Sequence, residues 1–246
     1  KIDPFSTTVN EGQFNFGAQA DFKQQPALFK TAEPMQIIKD IKINDQMTGK
    51  LLKYINPIFA DAANVNGIAN FDCEKLSIPL NEAAKNKAEI VGTISVDKLT
   101  MATSGVLDQI LRVVGGSSRS TLLTIHPTRF ELVNGFLRYD NMQIDVGDNP
   151  VNFKGVIGLD KSLEMSVTLP YTTEGRTIRI GSTSARRITL PITGTVDDPK
   201  LDEAIEKSAR LIRFYVGKGS VPYGDHHPWI QTHDDNGKNG SAALMF

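Results

Sequence analysis

The sequence predicts a mainly β protein with helices, in which amphipathic helices pack on the apolar face of a curved antiparallel sheet. Three observations predict it: short segments alternate apolar and polar residues, turn-forming residues separate them, and three segments have a helical period instead. Successive side chains of a strand point to opposite sides, so alternation leaves each strand one apolar side that needs a cover. A core, a lipid or a partner protein could each be that cover.

The alternation is clearest in residues 153–170, which indicate two strands joined at residues 160–162. Residues 35–43, 90–96 and 188–192 alternate in the same way, and Asn134-Gly135 suits a two-residue hairpin. We therefore expect an antiparallel meander over residues 128–196. Its apolar side carries the following residues: Phe153, Ile157, Leu159, Leu163, Met165, Val167, Leu169, Ile188, Leu190 and Ile192.

Two of the three helical segments precede this meander. In residues 44–59 we expect Asn44 as the N-cap and Pro57 as the residue that bends or ends the helix. In residues 103–116 Ser104 is the expected N-cap, and a broad apolar stripe runs to a terminating glycine pair. Each helix thus has one apolar side that can cover the sheet.

The third helical segment follows the meander. Asp198 is the expected N-cap, Pro199 the first helical residue and Gly217 the residue just past the end. Acidic residues precede basic ones along the segment, which is the order that the helix dipole favours. We expect one domain over residues 1–219 and a C-terminal tail over residues 220–246.

Composition excludes some classes of function. The chain has 246 residues, 40% hydrophobic and 22% charged, which are ordinary values for a globular protein. Its net charge of -1 provides no field that would attract nucleic acid, so we expect no nucleic-acid partner. The chain begins at Lys1 without an initiator methionine, and we expect an excised or processed segment that has lost any signal or anchor.

The C-terminal tail holds the one cluster of metal-ligand types. His226, His227 and His233 occur there with Asp225, Asp234 and Asp235. Imidazole and carboxylate are zinc ligands, but adjacent histidines do not readily converge on one ion, and a Gly, Asn and Lys run follows them. No G-x-S-x-G, P-loop or dinucleotide motif occurs. We expect no enzyme, no catalytic residue, no metal and no cofactor.

The meander carries a resemblance to a known family. Its features are the strand that ends at Asn134-Gly135, the G-x-x-x-L-D strand at residues 155–160, a returning strand, and P-I-x-G-T-x-x-x-P at residues 191–199. In these features the chain resembles the C-terminal region of AsmA-like bacterial envelope proteins, which are related to TamB. The resemblance is clearest over residues 129–201 and is absent beyond about Gly219.

The resemblance implies a periplasmic, cell-envelope protein anchored by a membrane helix that this chain lacks, with a bent sheet whose apolar face holds acyl chains. The expected function is non-enzymatic lipid binding or lipid conduction linked to outer-membrane biogenesis. The expected partners are phospholipid or another acyl lipid, envelope proteins, and missing parts of the same chain. The ten apolar residues of the meander named above are the expected lipid-binding residues.

Two alternatives stay open at this point. In the first, the chain is an envelope scaffold or interaction module whose own helices fill the apolar face. In the second, it is a metal-dependent enzyme that uses the histidine-rich tail. Three amphipathic helices are ample cover for one sheet, which supports the scaffold.

Overall fold

A computed structural model describes residues 1–44, 47, 52–60, 63–102, 105–113, 120–147, 149–174, 177–179, 186–201, 232–233 and 239–240. These residues are mostly antiparallel strands with a few short helices, as the alternation predicts. Within this part of the chain, no helix has the length and apolar character that crossing a membrane requires. The predicted domain boundary after residue 219 lies outside the described residues and stays a prediction.

Thirteen of the described strands form one sheet, and two more form a separate pair. The strands of the sheet are β1 (Ile2–Val9), β2 (Gly12–Asp21), β3 (Leu28–Lys30), β4 (Met35–Ile43), β5 (Ala63–Pro79), β6 (Glu89–Ala102), β7 (Ser120–Val133), β8 (Phe136–Val146), β9 (Asn149–Gly158), β10 (Leu163–Glu174), β11 (Thr177–Arg179), β12 (Arg186–Gly194) and β13 (Pro199–Lys200). The separate pair is β14 (Thr232–His233) with β15 (Asn239–Gly240). The helices are α1 (Lys53–Ile55), α2 (Gly105–Val113) and the 3₁₀ helices Pro57–Phe59 and Glu82–Lys87.

The sheet is a meander in which strands close in sequence lie side by side. From β5 to β10 each strand pairs antiparallel with the next, and β12 and β13 continue the order. Both β3 and β4 lie between β2 and β5, so they occupy one position of the sheet as two short strands. The meander expected over residues 128–196 is confirmed, and it extends towards the N-terminus.

The expected hairpin turn at Asn134-Gly135 is present, and a second turn follows β8. Asn134 and Gly135 have φ angles of 54° and 80° between β7 and β8, which is the conformation of a two-residue type I′ turn. Gly147, with φ 60°, follows β8, and Val146 pairs with Asn149 of the next strand. Both turns contain glycine, the residue that adopts positive φ at least cost.

Gly155 permits a close approach of β9 to β10. Its φ is 150°, and a Cβ atom placed there would lie 2.3 Å from the Glu164 carbonyl oxygen and 2.6 Å from Met165 Cα. On the other side of β9, Tyr139 pairs with Gly155, and its buried hydroxyl lies 3.8 Å from Met165 Sδ. Because Gly155 has no side chain, Tyr139 can reach Met165 across the intervening strand.

The first predicted helix is interrupted before its expected end at residue 59. The Asn44 side-chain oxygen accepts a hydrogen bond from the Met47 amide at 3.2 Å, which confirms the expected cap. Helix α1 ends before Asn56, whose backbone is extended, and Pro57 opens a 3₁₀ helix. The helical segment therefore breaks immediately before Pro57, in agreement with the prediction.

The second predicted helix corresponds to α2. Its Val106, Leu107 and Ile110 are buried and belong to one hydrophobic cluster with Phe59 and the interior residues of the sheet. The expected cap Ser104 and the terminating glycine pair lie outside the described residues.

The predicted start of the third helix is wrong. Pro199 pairs with Gly194 as part of β13, so Asp198 does not cap a helix there. Gly194, with φ 91°, begins a turn in which the amides of Thr195 and Asp198 each donate to the other's carbonyl oxygen at 3.2 Å. This turn brings the chain back onto β12. The rest of that segment, residues 202–217, lies outside the described residues.

Candidate functional site

Eight of the ten expected lipid-binding residues are buried in the core. Pairing across β9, β10 and β12 places them on one face, called the apolar face below, so the predicted alternation is correct. All eight belong to the main hydrophobic cluster and are at most 6% exposed: Phe153, Ile157, Met165, Val167, Leu169, Ile188, Leu190 and Ile192. An acyl chain could touch them only if the residues that bury them moved away.

The other two expected residues lie near the turn between β9 and β10. Leu163 is half-buried and packs against the main cluster. Leu159 is 42% exposed, because β9 ends at Gly158 and the turn begins there. Leu159 therefore lies outside the strand, and its expected place on the apolar face stays a prediction.

The segment that contains α1 contacts the strands of this buried region. Asn56 Nδ2 lies 3.5 Å from Met142 Sδ in β8. Lys53 Nζ lies 2.7 Å from an Asp197 carboxylate oxygen in the turn between β12 and β13. Lys161 binds the other oxygen of Asp197 at 2.7 Å, and hydrogen bonds from Lys161 and Lys53 lower the pKa of Asp197 to about 2. The two lysines thus join the helical segment to two turns of the sheet.

A group of phenylalanines lies near the N-terminal edge of the sheet. Ring centroids are 6.3 Å apart for Phe5 and Phe14, 6.0 Å for Phe14 and Phe16, and 5.9 Å for Phe16 and Phe29. These distances are typical of favourable aromatic pairs. Phe71 and Phe130 form a further stacked pair, 5.8 Å apart. We call the six residues the phenylalanine band: Phe5, Phe14, Phe16, Phe29, Phe71 and Phe130.

The phenylalanine band is on the same side of the sheet as the buried core. Phe14 pairs with Ile38, Ile38 pairs with Phe71, and Phe71 pairs with Ile94, which is a buried member of the main cluster. Directly paired residues of adjacent strands share a face. The apolar face therefore continues without interruption from the main cluster to the band.

Solvent reaches the band but not the core beside it. Phe5 is 46% exposed, and the other five phenylalanines are only partly buried. Four of them pack on a small second cluster that contains Ile37, Cys73 and Leu76. Burial raises the pKa of the Cys73 thiol above its ordinary value, so this cysteine is a packing residue and not a reactive thiolate. The apolar face is thus buried at β9 to β12 and over much of β5 to β8, and it is partly open at the phenylalanine band.

An aliphatic row connects the two parts near one end of the sheet. Successive pairs across six strands, β5 to β10, place large aliphatic side chains in line. Three of them are buried and three are half-buried. In order across the sheet they are Leu76, Ile90, Leu132, Leu137, Ile157 and Leu163.

The sequence contained a signal for the band that the prediction did not use. Phe14, Phe16 and Ala18 alternate with polar or small residues, which is the same period-two pattern as in residues 153–170. The pattern does not show which part of the apolar face is buried, because burial depends on residues that are distant in the chain.

A histidine and a carboxylate lie together on β7 and β8. His126 Nε2 is 2.6 Å from an Asp145 carboxylate oxygen, and Gln143 donates to the other oxygen at 2.8 Å. Partial burial acts to raise the pKa of Asp145, but the hydrogen bonds from His126 and Gln143 outweigh it and leave that pKa below its usual value. Such a pair can position a proton. It is an ordinary hydrogen-bonded pair unless a substrate or nucleophile adjoins it.

The histidine-rich tail lies outside the described side chains. Only the backbone of His233 is described, within β14, and the side chains of His226, His227, Asp225, Asp234 and Asp235 are not. Among the residues that the structure describes, no cluster has the composition to hold a metal ion. The tail enzyme thus stays a hypothesis from the sequence.

Comparison with known proteins yields one match. A family model described as a domain of unknown function (DUF6288) matches residues 175–246. The match covers less than a third of the chain and extends across the predicted boundary at residue 219. No curated protein and no solved structure matches the chain. The resemblance to AsmA-like proteins remains a prediction from the sequence.

Proposed function

We propose that this chain is a non-enzymatic lipid-binding module whose phenylalanine band holds acyl chains. The observation that carries the proposal is the half-open apolar face, in which partly exposed phenyl rings continue directly from a buried core. A contiguous exposed apolar patch of more than about a few hundred Å² on a folded protein commonly marks a binding surface. An acyl chain on the band would gain about 0.8 kcal/mol for each buried CH₂ group.

The proposal moves the binding site away from the residues that the sequence indicated. According to this proposal, the sheet is curved. The helices α1 and α2 and the 3₁₀ helix Pro57–Phe59 cover the part of the apolar face at β8 to β12. Support comes from the shared cluster of Val106, Leu107 and Phe59 with the strand residues. The covered part then supplies stability, and the open part supplies the site.

The dimensions of the band suit an extended hydrocarbon chain. The band extends from β1 to β7, and the distance from β2 to β7 is four strand spacings, which amounts to about 19 Å. A phospholipid acyl chain is of similar length. Phenyl rings and aliphatic side chains select for apolar character and not for a particular head group, so the module would accept phospholipid or another acyl lipid.

The proposed setting follows the resemblance to AsmA-like proteins. There the chain would be a periplasmic module of the bacterial cell envelope, linked to outer-membrane biogenesis and attached to a membrane by a segment outside this sequence. Its partners would be acyl lipid, envelope proteins and further parts of the same protein.

Native mass spectrometry of protein purified without detergent tests the proposal, followed by organic extraction and lipid analysis. The wild type should carry phospholipid in a stoichiometric amount, and the double variant Phe14→Ser/Phe16→Ser should lose most of it. Phe136→Ser is the matched control, because Phe136 is 47% exposed and its neighbour Leu137 lies on the apolar face, so Phe136 points to the other side. A wild type without lipid, or a control that loses as much lipid as the double variant, would contradict acyl binding at the band.

The burial of the eight core residues favours a second candidate function, an envelope scaffold whose apolar face is filled by its own chain. That candidate predicts a monodisperse, stable wild type without bound lipid. The same mass spectrum therefore decides between the two.

A further inference from the structure

Two neighbouring loops at one end of the sheet carry exposed apolar side chains. Residues 22–27 connect β2 to β3, and residues 80–88 connect β5 to β6. The Leu80 amide donates to the Ala27 carbonyl oxygen at 2.9 Å, so the loops lie side by side. Phe22 is 75% exposed and Leu80 is 54% exposed. We call this pair of loops the loop tip.

The loop tip and its supporting strands are locally basic. Residues 21–30 and 75–89 contain five lysines and three carboxylates, which gives a local charge of +2 in a chain whose net charge is -1. The lysines are Lys23, Lys30, Lys75, Lys85 and Lys87, and the carboxylates are Asp21, Glu82 and Glu89. Without these two segments the chain would have a net charge of -3, so positive charge is concentrated here.

A cleft of about 450 Å³ adjoins the two loops. Lys30, Lys75 and Lys87 line it, together with Gln24, Gln25 and Glu89. Lys30 binds Asp21 at 2.8 Å, and Lys75 forms an ion pair with Glu89, so two of the three lysines are already held in place by carboxylates. Lysine and side-chain amide N–H groups in a concave site of this size can bind a phosphate group by donating hydrogen bonds to its oxygens.

We propose that the loop tip is a docking surface for an anionic lipid bilayer. Phe22 and Leu80 would enter the boundary between head groups and acyl chains, and the lysines would contact lipid phosphates in and around the cleft. Exposed apolar side chains beside lysines are the combination that binds proteins to such surfaces. This inference is independent of the proposed function, because bilayer docking does not require a lipid on the phenylalanine band.

Co-sedimentation with large unilamellar vesicles tests the docking surface. The wild type should bind vesicles of phosphatidylcholine with phosphatidylglycerol, bind pure phosphatidylcholine vesicles much less, and lose affinity as salt is raised. Phe22→Ser and Leu80→Ser should each weaken binding about tenfold, as expected for loss of one buried apolar side chain. Lys87→Gln should weaken it about fivefold, the effect of one lysine near an anionic surface.

Leu122→Ser is the matched control, since Leu122 is also 54% exposed but lies near the start of β7, at the other end of the sheet. Circular dichroism of each variant would show whether the fold is intact. Absence of wild-type binding, or equal loss in Leu122→Ser and Phe22→Ser, would overturn the proposal. A wild type that docks but copurifies without lipid would contradict the proposed function and leave the docking surface standing.

Discussion

Replacing Gly155 by alanine should destabilise the protein severely, because the site has neither the backbone conformation nor the space for a side chain. The φ of 150° lies in a region that other residues rarely adopt. The added Cβ would also meet backbone atoms of Glu164 and Met165 at 2.3 and 2.6 Å. Backbone strain and overpacking each cost about 1 to 3 kcal/mol, so we expect a loss of about 2 to 6 kcal/mol in the free energy of unfolding.

Gly147→Ala separates the two contributions. Gly147 also has a positive φ, 60°, but no atom lies within 4 Å of an added Cβ. Its substitution should cost only the left-handed backbone term, about 1 kcal/mol. Urea unfolding followed by far-UV circular dichroism measures both values, and an unchanged slope with denaturant would show that the same surface unfolds in each variant.

The comparison can refute the reasoning. If the two alanine variants differ by less than about 0.5 kcal/mol, within the usual scatter of such measurements, then β9 and β10 do not approach as closely as described. The reach of Tyr139 across Gly155 to Met165 would then also be wrong.

Three further predictions concern the core and its charges. Phe153→Ala should lower the free energy of unfolding by about 3 to 5 kcal/mol, and Leu159→Ala by less than about 1 kcal/mol, in the same urea assay. A stable Phe153→Ala that loses bound lipid would instead make Phe153 a ligand contact. The lowered pKa of Asp197 means that its ion pairs with two lysines stabilise the fold above about pH 4, and that this contribution is lost as the pH falls towards 2. The stability of wild type should therefore converge with that of Asp197→Asn at low pH, and a constant difference would contradict the ion pairs. Burial raises the pKa of Tyr139 well above its usual value, so stability should fall above about pH 10, and fall less in Tyr139→Phe; parallel alkaline unfolding curves would show that this hydroxyl is accessible.

The strand pattern of the sequence was sufficient to predict the meander and the side on which its apolar residues lie. Val167, Leu190 and their neighbours share a face because a period of two is a local property of an extended backbone. The Asn134-Gly135 turn was predictable for the same reason, since its conformation depends on those two residues.

Three features were not predictable locally. Asp198 and Pro199 match the start of a helix, but the same residues fit the turn and edge strand that Gly194 begins. Leu159 continues the alternation in sequence although the strand has ended. The extent of the buried part depends on residues that are far apart in the chain, since residues of α2 and Phe59 belong to the same hydrophobic cluster as the strand residues.

The order of strands in the sheet has a consequence for how such a protein can change in size. The strands from β5 to β10 are each hydrogen-bonded to the next strand in sequence. A whole hairpin could therefore be added or removed without changing the connections between the remaining strands. Each added hairpin would widen the sheet by about 10 Å. The area of the apolar face would then increase by duplication of hairpins, while the hydrogen bonding between each pair of neighbouring strands stayed the same.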